Sequence, residues 1–424
     1  MEIITVAQGD TVFSIASRYG LSVEKIISDN GLPPDGALVV GQALVLLFPQ
    51  NTYSSDFYES VSSVANKEDS TTRKIFQNNY FLAGRNRLNP FEEIVINYDS
   101  FPITSGILGG YAYSVIPDNL IRSVISYMTY LMPFTYGFTP EGNLLSPNDT
   151  ELIDIATYYG AKPLMHLSTL TESGVFSNEL AHSLLINPEA IENIYQNILD
   201  NVIQKGYYGI DVDFEFLFAE DREAYVNFIS GLTEIMNANG FITVVALPPK
   251  TSDDQRGLLY EGIDYAGLGE ATNYGFLMTY EWGYRFGEPQ AVAPINAVRR
   301  VVEYALTRIP NDKLLLGISN YGYDWPLPFV MGQTEALSLS TVRALDLARN
   351  YGAEIMFDPI AQSPYFNYTD TSGREHIVWF EDARSYEAKV SLIREYRLAG
   401  GFIWDLMREN PQGFVTLNSL IDIE

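Results

Sequence analysis

Tyr208-Gly209-Ile210-Asp211-Val212-Asp213-Phe214-Glu215-Phe216 alternates three acids with apolar residues. Successive side chains of a strand point to opposite faces, so Asp211, Asp213 and Glu215 share one face while Val212, Phe214 and Phe216 share the other. In a barrel strand the acids project towards the axis and the apolar residues pack outward against helices. An acidic edge strand facing solvent would give that apolar face too little to pack on. Three confined carboxylates cannot all ionise cheaply, because repulsion and desolvation raise the affinity for at least one shared proton. A protonated Glu215 near neutral pH then has what a general acid needs. A divalent-cation site is the rival reading of clustered acids. No histidine lies near them in sequence, and His166, His182 and His376 lack ligand spacing and read as satisfied structural residues. No metal is expected.

Outward from this stretch, eight β-rich runs alternate with amphipathic helices: 106–113, 130–136, 162–168, 209–216, 243–247, 276–280, 314–319 and 401–406. That pattern belongs to a parallel sheet with crossover helices. It predicts an α/β fold, a (β/α)8 TIM barrel over 103–424, with its chemistry at the C-terminal strand ends. Between the seventh and eighth runs, a helix near 340–351, short strands at 354–358, 365–368 and 376–380, and the turn Asp370-Thr371-Ser372-Gly373 predict a small α+β insertion. It is placed at 324–385 and forms one wall of the cleft.

Residues 1–49 read strand, helix, helix, strand at 2–6, 11–19, 22–30 and 43–48. Thr11 and Ser22 stand as N-caps, and Gly20 and Gly31 close the helices as left-handed residues. Residues 50–102 read as a decayed second copy, with helices at 57–65 and 71–81 and a closing strand at 91–98. The Gly-Asp-Thr loop of the first copy is missing there, so a spacer role suits the second copy at least as well as binding.

The 424 residues carry 53 acidic and 26 basic side chains, a net charge of -27, which argues against nucleic acid or anionic lipid as partner. A neutral or weakly charged substrate fits better. Aromatic content of 13%, with 29 Tyr and 23 Phe, is high, and flat apolar faces with polar rims suit sugars. There is no Cys, hence no disulfide or thiolate site. The longest apolar stretch, 37–49, is broken by Gln42 and too short to span a bilayer, so no membrane insertion is expected. The N-terminus lacks the pattern of a signal peptide.

Gln8-Gly9-Asp10-Thr11, Ile15-Ala16-Ser17-Arg18-Tyr19-Gly20, Ile26-Ile27-Ser28-Asp29-Asn30-Gly31-Leu32 and Val40-Gly41-Gln42-Ala43-Leu44 together resemble a LysM module. The resemblance implies N-acetylglucosamine chains held between two loops, at Gly9, Asp10 and Thr11 and at Asn30, Gly31 and Leu32. The acid strand resembles the signature Asp-Gly-x-Asp-x-Asp-x-Glu of family-18 glycoside hydrolases, with Tyr208 at the leading Asp. That resemblance implies a retaining, substrate-assisted hydrolase. Glu215 would protonate the glycosidic oxygen, Asp213 would orient the acetamido N–H, and Asp211 would share a proton with Asp213. In Leu277-Met278-Thr279-Tyr280-Glu281-Trp282, Tyr280 would donate to the acetamido oxygen, with Met278, Glu281 (where Asp is usual) and Trp282 as substrate contacts. Trp404 would floor the reacting sugar, and Tyr323 and Trp325 would line further subsites. No cofactor is implied.

The runs Ala246-Leu247-Pro248-Pro249-Lys250-Thr251-Ser252-Asp253-Asp254-Gln255 and Trp379-Phe380-Glu381-Asp382-Ala383-Arg384-Ser385 carry the resemblance further. They are similar to the spore-associated LysM plus family-18 proteins, the cortical-fragment-lytic N-acetylglucosaminidase type. This implies action on peptidoglycan of the spore cortex, and a place in the spore coat or cortex for a protein made without a signal peptide. Two other readings stay open: a chitinase-like enzyme on chitooligosaccharides, and a catalytically silent wall-binding lectin.

Overall fold

In a computed structural model, residues 1–99, 101–170 and 175–424 are described. The chain opens with two βααβ units. In the first, strands Glu2–Thr5 and Ala43–Leu46 pair antiparallel around helices Val12–Tyr19 and Val23–Asn30. Thr11 and Ser22 accept from the amides of Ser14 and Lys25, and Gly20 and Gly31 close the helices at φ 69° and 59°. In the second, strands Pro49–Ser54 and Glu93–Tyr98 pair antiparallel around helices Val61–Lys67 and Thr72–Asn78.

The two units superimpose chemically at an offset of 49 positions. Asp10 and Glu59 each accept from the amide three residues earlier, and each pairs with the cation eight residues later, Arg18 or Lys67. Thr11 and Ser60 then cap the first helices. The second unit lacks the Gly-Asp-Thr residues, but Tyr58-Glu59-Ser60 stands in their place with the same contacts, Tyr58 at φ 67° where Gly9 has φ 90°. For the same reason the helix expected from 57 begins only at Val61, because the loop and its cap come first. Strand Pro49–Ser54 was not anticipated.

The barrel strands are β1 (Thr104–Tyr113), β2 (Tyr130–Phe134), β3 (Lys162–Ser168), β4 (Gly209–Asp213), β5 (Ile242–Leu247), β6 (Tyr274–Leu277), β7 (Leu314–Ser319) and β8 (Gly400–Trp404). All neighbours pair in parallel, and pairing of β8 with β1 closes the ring, so the fold is a TIM barrel. Inward residues Ile107, Met132, Leu164, Val244, Phe276, Leu315 and Phe402 fill its interior. Four expected strands run too far: β2 ends at Phe134 and β8 at Trp404, and β4 and β6 fall further short. β4 stops at Asp213 because its last partner on β3, Ser168, stands opposite that residue, and β6 stops at Leu277. Glu215 and Tyr280 thus sit on the exits rather than on the strands. Val212 and Phe214 face outward and are buried, Phe214 stacking on Tyr225 and Phe228 of the following helix. Phe216 does not join them: it lies at φ 58° and is 37% exposed.

Between β7 and β8 a five-stranded antiparallel sheet is ordered Leu337–Leu339, Gly322–Pro326, Glu375–Trp379, Ser363–Thr369, Met356–Asp358, with helix Thr341–Tyr351 beside it. The first two strands of that order were not foreseen, and one starts at 322. The first βααβ unit docks on this insertion and on the last barrel helix, Pro411–Leu420. The Ile355 amide donates to Val40 O at 2.9 Å, and Gln412 donates to Asn30 at 3.0 Å and to Ala43 O at 2.8 Å. Gly41, at φ 83°, permits this approach, since a Cβ there would stand 1.8 Å from Ile355 O. Among the described residues, no helix is long and apolar enough to cross a membrane.

Candidate active site

β4 carries Asp211 and Asp213 on its inward face, at the C-terminal end of the ring. Asp211 is fully buried and pairs in register with His166 of β3. The Tyr111 hydroxyl, from β1, donates to it at 2.8 Å. Burial pushes the Asp211 carboxyl up to about 6; Asp213 adds to the rise, while His166 and the Tyr111 hydrogen bond oppose it. Asp213 is 7% exposed. Glu215 follows beyond the strand end, and burial drives its carboxyl well above the usual range, with the charges of Asp213 and Glu281 adding. Among the described residues, no Lys or Arg forms an ion pair with any of the three; His166 Nε2 stands 3.7 Å from Asp211 and 3.8 Å from Asp213. A carboxyl whose surroundings favour its protonated form, at the C-terminal end of a barrel strand, can donate a proton to a leaving group.

Tyr280 lies across from these acids on the exit of β6. Its ring approaches Gly317 of β7, where a Cβ would stand 3.0 Å from it and 2.5 Å from Leu277 O. Burial and the charges of Asp213 and Glu215 hold its phenol well above the usual value, so it remains an O–H donor. Glu281 sits at φ 65° and accepts from the hydroxyls of Tyr321 and Tyr323. Met278 is half-buried beside the barrel interior, and Trp282 is half-buried against the outer layer of helices. Trp404, half-buried at the end of β8, is caged by Phe134 at 5.1 Å, Tyr111 at 5.4 Å and Tyr113 at 6.3 Å.

The remaining subsite expectations are corrected. Trp325 is fully buried and its indole donates to Gly287 O at 2.9 Å, so it is a wall residue with no face to offer a sugar. Tyr323 is 7% exposed, and its hydroxyl is spent on Glu281. Sequence reasoning missed Tyr111 and set His166 aside. The alternation within 106–113 and 162–168 places both on inward parity, but only the register reveals that they meet Asp211.

In the first βααβ unit, Gly9 and Thr11 are exposed, and Asp10 pairs with Arg18 at 2.8 Å. In the second half of the expected sugar groove, Asn30 is not free, while Gly31 and Leu32 line a surface cavity. Asn30 is buried with all four of its amide hydrogen-bonding positions occupied: it donates to Ile26 O and Val45 O and accepts from Val45 N and Gln412. It is a rivet, and Asn79 repeats it in the second unit with Ile75 O, Val95 O and Val95 N. Leu32 belongs to the unit's core, and Gly31 abuts Pro411.

Comparison with known proteins follows this division of the chain. Residues 158–409 match glycosyl hydrolases family 18, and residues 4–46 match the LysM domain. The cortical fragment-lytic enzyme of Bacillus subtilis (strain 168) is 36% identical over 431 residues, spanning 100% of this chain and 99% of its own. That of Bacillus anthracis is 34% identical over 435 residues, spanning 98% and 97%. The crystal structure of the Bacillus megaterium QM B1551 spore cortex-lytic enzyme SleL aligns with a TM-score of 0.84 and 35% identity, covering 100% of this chain and 98% of that one.

Proposed function

The chain belongs to glycosyl hydrolases family 18, and from that premise we propose that it cleaves spore-cortex peptidoglycan after N-acetylglucosamine, by substrate-assisted catalysis with retention. The observation that carries the reading is the set of three acids at the open end of β4, without a Lys or Arg partner among the described residues, where burial raises the proton affinity of Asp211 and Glu215.

Glu215 gives its proton to the glycosidic oxygen as the C1–O bond breaks. The acetamido oxygen of the same sugar forms the new bond to C1, so no enzymic nucleophile is needed. Asp213 accepts the acetamido N–H and favours the positive charge of the resulting oxazolinium ion. Tyr280 donates to the acetamido oxygen and fixes its approach. Asp211, held by Tyr111, shares the proton that Asp213 takes or releases. Water then adds to C1 as the bond between C1 and the acetamido oxygen breaks, giving its proton to the Glu215 carboxylate and restoring the acetamido group. Trp404, caged by three aromatic rings, is the rigid apolar floor beneath the sugar.

The names of the relatives point to cortex as substrate, and a chain of net charge -27 suits a polymer of low charge better than a strongly anionic one. The same names support a place on the spore. Within the LysM module, the loop at Gly9, Asp10 and Thr11 exposes Gly9 and Thr11 to glycan, with Asp10 held by Arg18. The test is to incubate the protein with spore-cortex fragments and, separately, with chitooligosaccharides, and to read new ends by mass spectrometry. Cortex products ending in reducing N-acetylglucosamine are expected. Cleavage of chitooligosaccharides alone would move the substrate to chitin, and pelleting with the wall without cleavage of either would make the protein a lectin.

A further inference from the structure

Three buried polar atoms without a hydrogen-bond partner gather at the floor of the acid site: Asp211 Oδ1, Asp213 Oδ1 and His166 Nε2. His166 is 1% exposed, and its ring stacks on Phe134 of β2 at 4.7 Å and meets the edge of Tyr111 of β1 at 5.4 Å. Its Nδ1 lies 2.6 Å from Thr135 Oγ1. That hydroxyl also lies 3.1 Å from the Tyr136 carbonyl, which can only accept, and 2.9 Å from Ser168 Oγ. With its own hydrogen directed to the carbonyl, Thr135 accepts from His166, and Nδ1 carries a proton.

The state of Nε2 follows from what it faces. Among the described residues, Asp211 and Asp213 of β4 are the charged groups there, and the other packed elements bring the Tyr111 phenol, Phe134, Thr135 and Ser168. A bare Nε2 would set a lone pair towards two carboxylates, whereas a proton on it is attracted by both. We propose that His166 is a positioning residue of the hydrolase, an imidazolium that holds Asp211 and Asp213 together from below and keeps Asp213 available as the acceptor of the acetamido N–H. It touches no substrate and acts through the two acids. The inference rests on the assignment of Asp213 made above.

Two measurements test it. The first compares pH profiles of kcat/KM for wild type, His166→Gln and His166→Phe on cortex fragments, with circular dichroism to establish folding. Loss of the cation should move the acidic limb upward by about one pH unit or more, since an opposite charge this close favours ionised carboxylates by that order. A merely structural histidine would lower the rate at every pH and leave the limb in place, which overturns the proposal. The second needs neither variant nor substrate. The chain has three histidines, so ¹⁵N-histidine labelling, with His182→Asn and His376→Asn for assignment, reads the ring nitrogens of His166 directly. Both should be protonated at pH 7.5, where an unperturbed imidazole is mostly neutral. A neutral ring there overturns the proposal while leaving the role of Asp213 standing.

Discussion

Glu381, beside the exit of β7, and Asp211, on β4, are both fully buried carboxylates, and their surroundings differ in kind. Glu381 accepts from the equally buried Lys389 at 2.7 Å and from Ser319 at 3.0 Å. Asp149 is treated the same way. Burial pushes its carboxyl up, but Lys205 at 2.7 Å together with Tyr136 and Tyr207 outweighs that and holds it below the usual range. Asp211 has one phenol, an unpartnered oxygen, a second carboxylate two residues on, and the His166 ring at 3.7 Å in place of a lysine. Structural acids in this barrel are neutralised by a lysine within hydrogen-bond reach, whereas the acids of the site have no Lys or Arg partner among the described residues, and Asp211 and Asp213 face His166 across 3.7 and 3.8 Å. The difference separates charges that hold the fold from charges that the fold tolerates for their chemistry.

Substitutions in the two sets should therefore move different observables. The largest effect on rate is expected for Glu215→Gln, a loss of about 10²–10⁴-fold or more in cortex cleavage, the range that general acid catalysis supplies. Its melting temperature should be unchanged or raised; retained activity would remove Glu215 from its role. Lys389→Met should instead cost about 3–5 kcal/mol in urea denaturation, because it strands Glu381 as a buried unpaired charge. Adding Glu381→Gln should recover part of the loss, and full stability of the single variant would erase the contrast.

Asp211→Asn sharpens the comparison through pH. The Asp211 carboxyl is raised from 3.8 to about 6, so the fold favours its protonated form. That contribution is complete below pH 3.8 and is lost as pH rises through about 6. The fold with Asp211 ionised is then about 3 kcal/mol less stable than it would otherwise be. The asparagine variant should accordingly be more stable than wild type at pH 8, with the gain fading towards pH 4; a constant difference across that range would contradict it. The smallest effect is expected at the exposed pair Arg122–Asp118, where Asp118→Ala should change stability by no more than about 1 kcal/mol.

The barrel and the three acids were legible because both are written in local periodicity, apolar runs at strand length and acids at every second residue. The point at which β4 ends was not, since it is set by Ser168 on a neighbouring strand. His166 and Tyr111 escaped for a related reason: parity within a strand is visible, but the register that brings them to Asp211 is a property of three strands at once. Trp325 misled because aromatic side chains serve cores and sugar clefts alike, and only its full burial distinguishes the two. Asn30 looked like a ligand position, yet its amide is consumed by the backbone of its own unit and by Gln412. In the second unit the loop was hidden by Tyr58, which takes a left-handed φ of 67° at the place where Gly9 signals the turn openly.

Whether Asp211, Asp213 and Glu215 work with the substrate's own acetamido group is read most directly from the anomer of the first reducing ends released from cortex fragments, followed by proton NMR before mutarotation. Double displacement through an oxazolinium ion is expected to give the same configuration as the bond that was cut. If the opposite anomer forms first, water has displaced the leaving group in one step. The roles given to Asp213 and Tyr280 would then be wrong.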